Sequence, residues 1–282
     1  MTLRRTALLA LAVLAPLLVL VAPMPSASAA GRPIQPGVQM IIAGAQCTAN
    51  FVYRQKGHPK RVYVGMAAHC AGKGSDSDTN GCTTPSYPLG TRVQFVTGAN
   101  LLSGGTQVGT GRLAYSSWIA MHRAHTRAAG ACGYNDLALV RVDRKYLSRV
   151  SPSVPGMGGP VRLARQFPAV GAPVYSLGSS SLRGSTQAKS GTVQSRSTWT
   201  MTVRTGSPGV PGDSGSGFLD RRGGAIGVLS TLDIFPNTGS NGVGSLYQEV
   251  RFARSHGMAG LRLATGRPFT PPSGGGGLLG LL

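Results

Sequence analysis

The sequence predicts an all-β protein, a sandwich or a pair of barrels, on three observations. Short apolar, β-branched and aromatic runs recur along the chain, clusters of Gly, Ser, Pro and Asn separate them, and helical windows are few. The runs fall at residues 38–42, 51–55, 61–66, 92–96, 137–142, 173–177, 193–203 and 225–229. The 42 glycines suit the turns, bulges and corners of such sheets. One helical window stands out at 247–256, where Leu246, Val250 and Ala253 or Arg254 share a face and Gly257 can end the turn. The chain shows no internal repeat.

The two ends read differently from the middle. Residues 1–30 have the form of an export signal: Arg4 and Arg5 carry charge, an apolar run follows from about Ala7 to Ala22, and Ala27-Ser28-Ala29 fits a cleavage site. That run is short for a membrane span and has no stop-transfer flank, so cleavage and secretion are expected, with no membrane anchor. Residues 31–265 are long enough for one domain with a sizeable core. Residues 266–282 are rich in Pro and Gly and end in Leu278, Leu279, Leu281 and Leu282; a flexible tail, too short to span a bilayer, is expected.

Lys and Arg number 28 against eight Asp and Glu, a formal charge of +20 that falls to +18 without Arg4 and Arg5. Such a surface favours non-specific contact with anionic surfaces. The bases stand singly or in pairs, as at Arg221-Arg222, with no run of five and no interleaved aromatics, so no specific nucleic-acid site is expected. Four cysteines, Cys47, Cys70, Cys82 and Cys132, in an exported chain suggest two disulfides, and their spacing alone permits three pairings.

Three local patterns carry chemistry. In Pro211-Gly212-Asp213-Ser214-Gly215-Ser216-Gly217, Gly212 lets the backbone turn its own N–H and that of Ser214 toward one point, as an oxyanion hole requires, while Gly215 and Gly217 leave room for a base and for substrate. Alone, this is also the composition of a Gly-Ser turn. Met66-Ala67-Ala68-His69-Cys70 ends a β run, and a disulfide cysteine after His69 would fix its backbone. A lone histidine is otherwise more often an ordinary surface or core residue. In Asn135-Asp136-Leu137-Ala138-Leu139-Val140 an aspartate enters an apolar strand, where it needs a partner such as a histidine Nδ1–H.

Taken together, AAHC, NDLALV and GDSGSG in the order His, Asp, Ser resemble the chymotrypsin-like (trypsin-like) serine proteases, closest in character to secreted bacterial members. The order also separates the chain from α/β-hydrolases, which run Ser, Asp, His and need glycine where Ser216 stands. The resemblance implies two antiparallel β-barrels with a short C-terminal helix, protein or peptide substrates, and no cofactor. It makes Ser214 the nucleophile, His69 the general base and then acid, Asp136 the residue that orients His69, and the Gly212 and Ser214 amides the oxyanion hole. It places Pro208 at the base of the specificity pocket and Ser230-Thr231-Leu232 along the substrate strand. The family usually has an aromatic residue where Thr231 stands and glycine where Leu232 stands, and a leucine there would crowd the cleft. Cys47 is expected to pair with Cys70, clamping the strand before His69, which leaves Cys82 for Cys132.

Ile41-Ile42-Ala43-Gly44 is similar to the activated N-terminus of pancreatic members, but Cys47 follows too soon, so a β-strand is expected instead. An internal arginine is then expected to pair with Asp213. The stretch between signal and domain leaves no room for a long pro-region. With Pro208 at the pocket base and no acid from Thr205 to Pro211, cleavage after neutral residues is expected, unless Asp233 turns inward. His122 with His125, and Asp76, Asp78 and Asn80, lack the further ligands of zinc or calcium sites, so no metal is expected. The rival reading, from another class, is a protease-like binding module for anionic polymers; a serine-reactive probe separates the two.

Overall fold

The computed structural model describes residues 32–74, 78, 80–184, 186–233 and 239–272, with only the backbone of Leu232 and Asp233; the expected signal and residues 273–282 of the expected tail lie outside these. The first sheet takes β1 (Gln39–Ile42), β2 (Ala45–Thr48), β3 (Val52–Gln55), β4 (His58–Ala67), β5 (Arg92–Thr97), β6 (Thr106–Ser116) and β7 (Leu137–Val142). The second takes β8 (Arg162–Leu163), β9 (Pro173–Gly178), β10 (Gln187–Arg196), β11 (Thr200–Thr205), β12 (Gly217–Asp220), β13 (Gly224–Asp233) and β14 (Ser240–Ser245), after which β15 (Leu261–Leu263) returns to the first. The orders are β15-β3-β4-β7-β6-β5-β1-β2 and β12-β9-β10-β11-β14-β13-β8, and pairing of β12 with β13 closes the second sheet into a barrel. The short β8 runs parallel to β13. This is the all-β, two-barrel class that the sequence predicts, with the helix α3 (Leu246–Ser255) after the last long strand. The short helices α1 (Ser117–Arg123) and α2 (Ala129–Tyr134) sit between β6 and β7. No helix among the described residues is long and apolar enough to cross a membrane.

Alternating apolar residues explain which faces are buried. Met40, Ile42, Val64, Met66, Phe95 and Val140 fill the first sheet, and Val174, Val193, Val203, Phe218, Ile226 and Val243 fill the second. A third cluster draws Leu137 and Leu139 from one sheet with Phe51 just before β3, Leu177 and Val228 from the other, and Leu246 and Val250 from α3, so apolar burial fastens the two halves together. Each such side chain, fully buried, contributes about 1.5–3 kcal/mol.

The differences from the expected elements have local causes. The run 193–203 is two strands, broken where Ser197 N–H donates to Thr200 O at 2.7 Å. β6 and β14 went unpredicted because their glycines read as turns. Those glycines serve close approach instead: a Cβ at Gly111 would lie 2.5 Å from Arg141 O, and one at Gly244 2.8 Å from Glu249 Oε1. Ile41 and Ile42 lie in β1, and Ala43 and Gly44, with φ of 48° and 89°, make the tight turn into β2, in the left-handed conformation such hairpins need.

The described start of the expected tail is packed. Gly266 N–H donates to Pro160 O at 2.8 Å and Thr270 N–H to Met157 O at 2.7 Å, and the Phe269 ring lies 5.6 Å from that of Tyr175. Composition pointed to a loose segment from residue 266, but these backbone bonds and one aromatic anchor hold it to 272 against the second sheet.

Candidate active site

His69 follows the end of β4 and Asp136 precedes the start of β7, and these strands pair antiparallel with Ala67 opposite Leu137. The register therefore puts the two residues side by side. Ala68 N–H donates to Asp136 O at 2.9 Å and His69 N–H to Asp136 Oδ1 at 2.8 Å. The His69 ring then meets Asp136 Oδ2 through Nδ1 at 2.7 Å. A carboxylate can only accept, so Nδ1 carries the proton and Nε2 is the basic nitrogen of the ring. Ser230 Oγ, from β13, donates to the same Oδ2. Asp136 is 3% exposed, whereas the His69 side chain is 26% exposed.

The Cys47–Cys70 disulfide ties β2 to the residue after His69, and Cys82–Cys132 ties the loop after β4 to α2, as expected. Ligand atoms of Cys47, His69 and Cys70 lie within 4.8 Å of one another, but the sulfurs are bonded to each other and His69 Nδ1 is engaged by Asp136. Neither a thiolate nor a free Nδ1 is offered, so this donor set does not fit a metal.

Ser214 lies on the turn before β12, where both halves reach it. Thr48 N–H, from the first sheet, donates to Ser214 O at 2.8 Å, and Gly215 N–H donates to Leu229 O of the second at 2.8 Å. A Cβ at Gly215, whose φ is 89°, would lie 2.6 Å from Thr48 O and 2.8 Å from Ala67 N, so the turn presses on the chain leading into His69. A Cβ at Gly217 would strike the Phe51 ring at 2.5 Å. Both glycines thus make room for the first sheet, not for a base and substrate as the sequence reading has it.

Two peptide planes in this turn are held by their carbonyls. Pro211 O accepts from Ser180 Oγ at 2.6 Å, and Asp213 O accepts from Ser216 N–H at 3.0 Å and Ser216 Oγ at 2.5 Å. In a trans peptide the N–H points away from the carbonyl. The Gly212 and Ser214 N–H groups are therefore turned the other way, and among the described residues neither donates to a protein acceptor. Gly212, with φ of 93°, permits this. Fixed donors of this kind stabilise developing negative charge.

Asp213, beneath the turn, pairs with a lysine and not with the expected arginine. Lys189 Nζ lies 2.5 Å from Asp213 Oδ2, the two side chains being 3% and 1% exposed. Ser180 N–H and Val210 N–H also donate to Asp213, at 3.1 and 3.2 Å. Burial pulls the Lys189 ammonium below its ordinary pKa and the Asp213 carboxylate opposes that shift. Lys189 sits on β10 opposite Ser176, 24 residues from its partner, and nothing local marks it as a partner.

A second acid was missed altogether. Glu249 on α3 is wholly buried, and its Oε1 accepts from Asp136 N–H at 3.1 Å. Burial first, and the charge of Asp136 second, hold this carboxyl well above the usual range, against the bond from Asp136 N–H. The available signal was an acid beside Leu246, Val250 and Ala253 on the apolar helix face.

Of the expected substrate contacts, Ser230 turns its hydroxyl to Asp136, and Pro208 O accepts from Arg183 Nη2 at 2.8 Å. Thr231 Oγ1 lies over Gly242. Leu232 contributes its backbone to β13, and the side chains of Leu232 and Asp233, with the crowding and the inward turn expected of them, lie outside the described residues.

The fold is that of the chymotrypsin-like serine peptidases. Residues 67–228 match the family model of the trypsin-like peptidase domain, and the chain belongs to that family. Among solved structures it is similar to Protease A of Thermobifida fusca, 21% identical over 83% of this chain and 99% of that one, with a TM-score of 0.51. It is also similar to a Glu endopeptidase, 18% identical over 78% and 89% with a TM-score of 0.50. A third is the thermostable serine protease AL20 from an extremophilic microorganism, 14% identical over 80% and 97%, also at 0.50. At these identities the likeness is one of fold. No curated protein matches the sequence.

Proposed function

We propose that the chain is a secreted serine endopeptidase, exported by residues 1–30, that cleaves protein or peptide substrates through an acyl-enzyme. Ser214 Oγ attacks the scissile carbonyl while His69 Nε2 takes its proton, and the oxyanion settles on the Gly212 and Ser214 N–H groups. His69 then protonates the leaving amine, the C–N bond breaks, and an ester to Ser214 remains. Water, deprotonated by His69, attacks that ester; the acid product leaves and Ser214 regains its proton. Asp136 keeps Nδ1 protonated and stabilises the imidazolium.

The observation that carries this reading is the hydrogen-bonded series Ser230, Asp136, His69, with the Ser214 turn pressed against Ala67, two residues from His69. It is tested with purified protein on casein and labelled peptides, with and without a fluorophosphonate. Ser214→Ala is expected to lose labelling and about a million-fold in kcat while folding normally. Turnover like that of the unaltered enzyme in this variant would refute the assignment.

One feature favours an additional role for the basic surface. Arg162, Arg165, Arg221 and Arg222 line a groove of about 810 Å³ on the second sheet, with Asp220 paired to Arg162. Contact with anionic surfaces would centre there, weakening with salt. Retention on an anionic resin that Arg165→Gln with Arg221→Gln and Arg222→Gln leaves unchanged would count against it.

A further inference from the structure

The rate of a triad enzyme depends on how its aspartate is aimed at its histidine. The Asp136 carboxylate accepts from His69 N–H, His69 Nδ1 and Ser230 Oγ, and its direction is set by the two peptides on either side of it. All four polar groups of those peptides are held. Ahead of Asp136, Asn135 O accepts from Ser117 Oγ at 2.6 Å, and Asp136 N–H donates to Glu249 Oε1 at 3.1 Å. Behind it, Asp136 O accepts from Ala68 N–H at 2.9 Å, and Leu137 N–H donates to Ser117 Oγ at 3.2 Å. Ser117 opens α1 and Glu249 lies on α3, so two helices grip the chain as it enters β7.

Glu249 is the costly member of this grip. It is wholly buried, on the helix face where Leu246, Val250 and Ala253 join the cluster that holds Leu137 and Leu139. Its Oε2 has no partner among the described residues, and the bond from Asp136 N–H is the one its carboxyl makes there. An apolar side chain would fill the same face without stranding an oxygen, so packing alone does not call for an acid. The neighbouring strand β14 is nonetheless shaped to admit one: a Cβ at Gly244 would lie 2.8 Å from Glu249 Oε1 and 2.9 Å from Tyr134 O. What the acid supplies is an acceptor for Asp136 N–H, carried on a helix that packs against the strand Asp136 leads into. Burial keeps that carboxyl protonated well above the usual range, so it serves as a neutral acceptor, a role a glutamine amide can fill.

Resting on the peptidase reading, we propose that Glu249 is a positioning residue for catalysis: by accepting the Asp136 N–H it fixes the peptide that aims the Asp136 carboxylate at His69 Nδ1. Glu249→Leu, apolar and of similar size, removes the acceptor. A misplacement of about 1 Å can cost about 100-fold, so this variant is expected to lose about that much in kcat on a chromogenic peptide, with KM changed less than about threefold. Glu249→Gln keeps an acceptor and is expected to hold kcat within about threefold of the parent. A poorly aimed carboxylate also stabilises the imidazolium less, which lowers the His69 pKa, so the acid limb of the kcat/KM profile should move to lower pH in the leucine variant. Rates are referred to the folded fraction, read by circular dichroism and urea unfolding, and Glu249→Met takes the place of a leucine variant that does not fold. A purely structural role would lower the folded fraction and leave both the rate per folded molecule and the acid limb unmoved. A folded leucine or methionine variant within about tenfold of the parent in kcat, an acid limb that stays in place, or a glutamine variant as impaired as the leucine one overturns the proposal. If the parent labels and cleaves while these variants match it, this inference alone fails. A parent that neither labels nor cleaves defeats the peptidase reading, and this inference with it.

Discussion

Asp136 and Asp213 are buried alike, at 3% and 1% exposure, and each accepts backbone N–H bonds, yet their partners differ in kind. Asp136 faces a partly exposed imidazole whose charge can come and go. Asp213 faces an ammonium sealed inside the second barrel. The difference separates two jobs that one residue type can do. A carboxylate against a titratable ring governs a proton, whereas one against a locked cation governs backbone shape, here the turn that carries the Gly212 and Ser214 N–H groups.

The comparison breaks first at Asp136. Asp136→Asn keeps size and shape but removes the charge and allows the wrong ring tautomer, so kcat is expected to fall by about 10⁴-fold with little change in unfolding midpoint. Single-turnover acylation with an activated ester measures this; a loss under tenfold would mean that Asp136 does not govern the proton. At the other aspartate the order of effects reverses. Lys189→Met strands a buried carboxylate and is expected to cost about 3–5 kcal/mol of stability, read by urea unfolding in a Ser214→Ala background to prevent self-cleavage. Adding Asp213→Asn should recover most of that loss, because the two residues act as a pair. A single variant as stable as its parent would show that the pair holds nothing in place.

How much of this was legible follows from how local each signal is. His69, Asp136 and Ser214 each sit in a short pattern whose neighbours matter, and β7 (Leu137–Val142) is readable to the residue because it is apolar throughout except for the exposed Arg141. Lys189 was not readable, since it draws its meaning from a partner brought close by strand pairing in the second sheet and not by sequence. The glycines misled in both directions: those of β6 and β14 looked like turns, and Gly217 looked like room for substrate where it is room for Phe51. A missing side chain names no neighbour, so sequence records that space is needed and not for what.

Glu249 sharpens the comparison from behind, since it meets Asp136 through backbone and not through a cation. It lies among Tyr53, Tyr115 and Asp136, and burial together with the Asp136 charge raises its pKa, as burial also raises those of both tyrosines. The folded chain therefore keeps the Glu249 proton to a higher pH than the unfolded chain does. Below the ordinary carboxyl range both states hold that proton and Glu249 costs nothing. Above it the unfolded chain has released the proton while the folded chain has not, so unfolding releases a proton and stability falls as pH rises, until the raised pKa is passed. The fall is limited to about 1.4 kcal/mol per pH unit for one group. Glu249→Gln retains an oxygen for Asp136 N–H but has nothing to titrate. Measured by urea unfolding in the Ser214→Ala background, the gap between the variant and its parent is expected to widen in the variant's favour from pH 5 to pH 8. A gap that stays constant over that range would mean that Glu249 is already ionised in the fold, and that a second carboxylate stands behind Asp136.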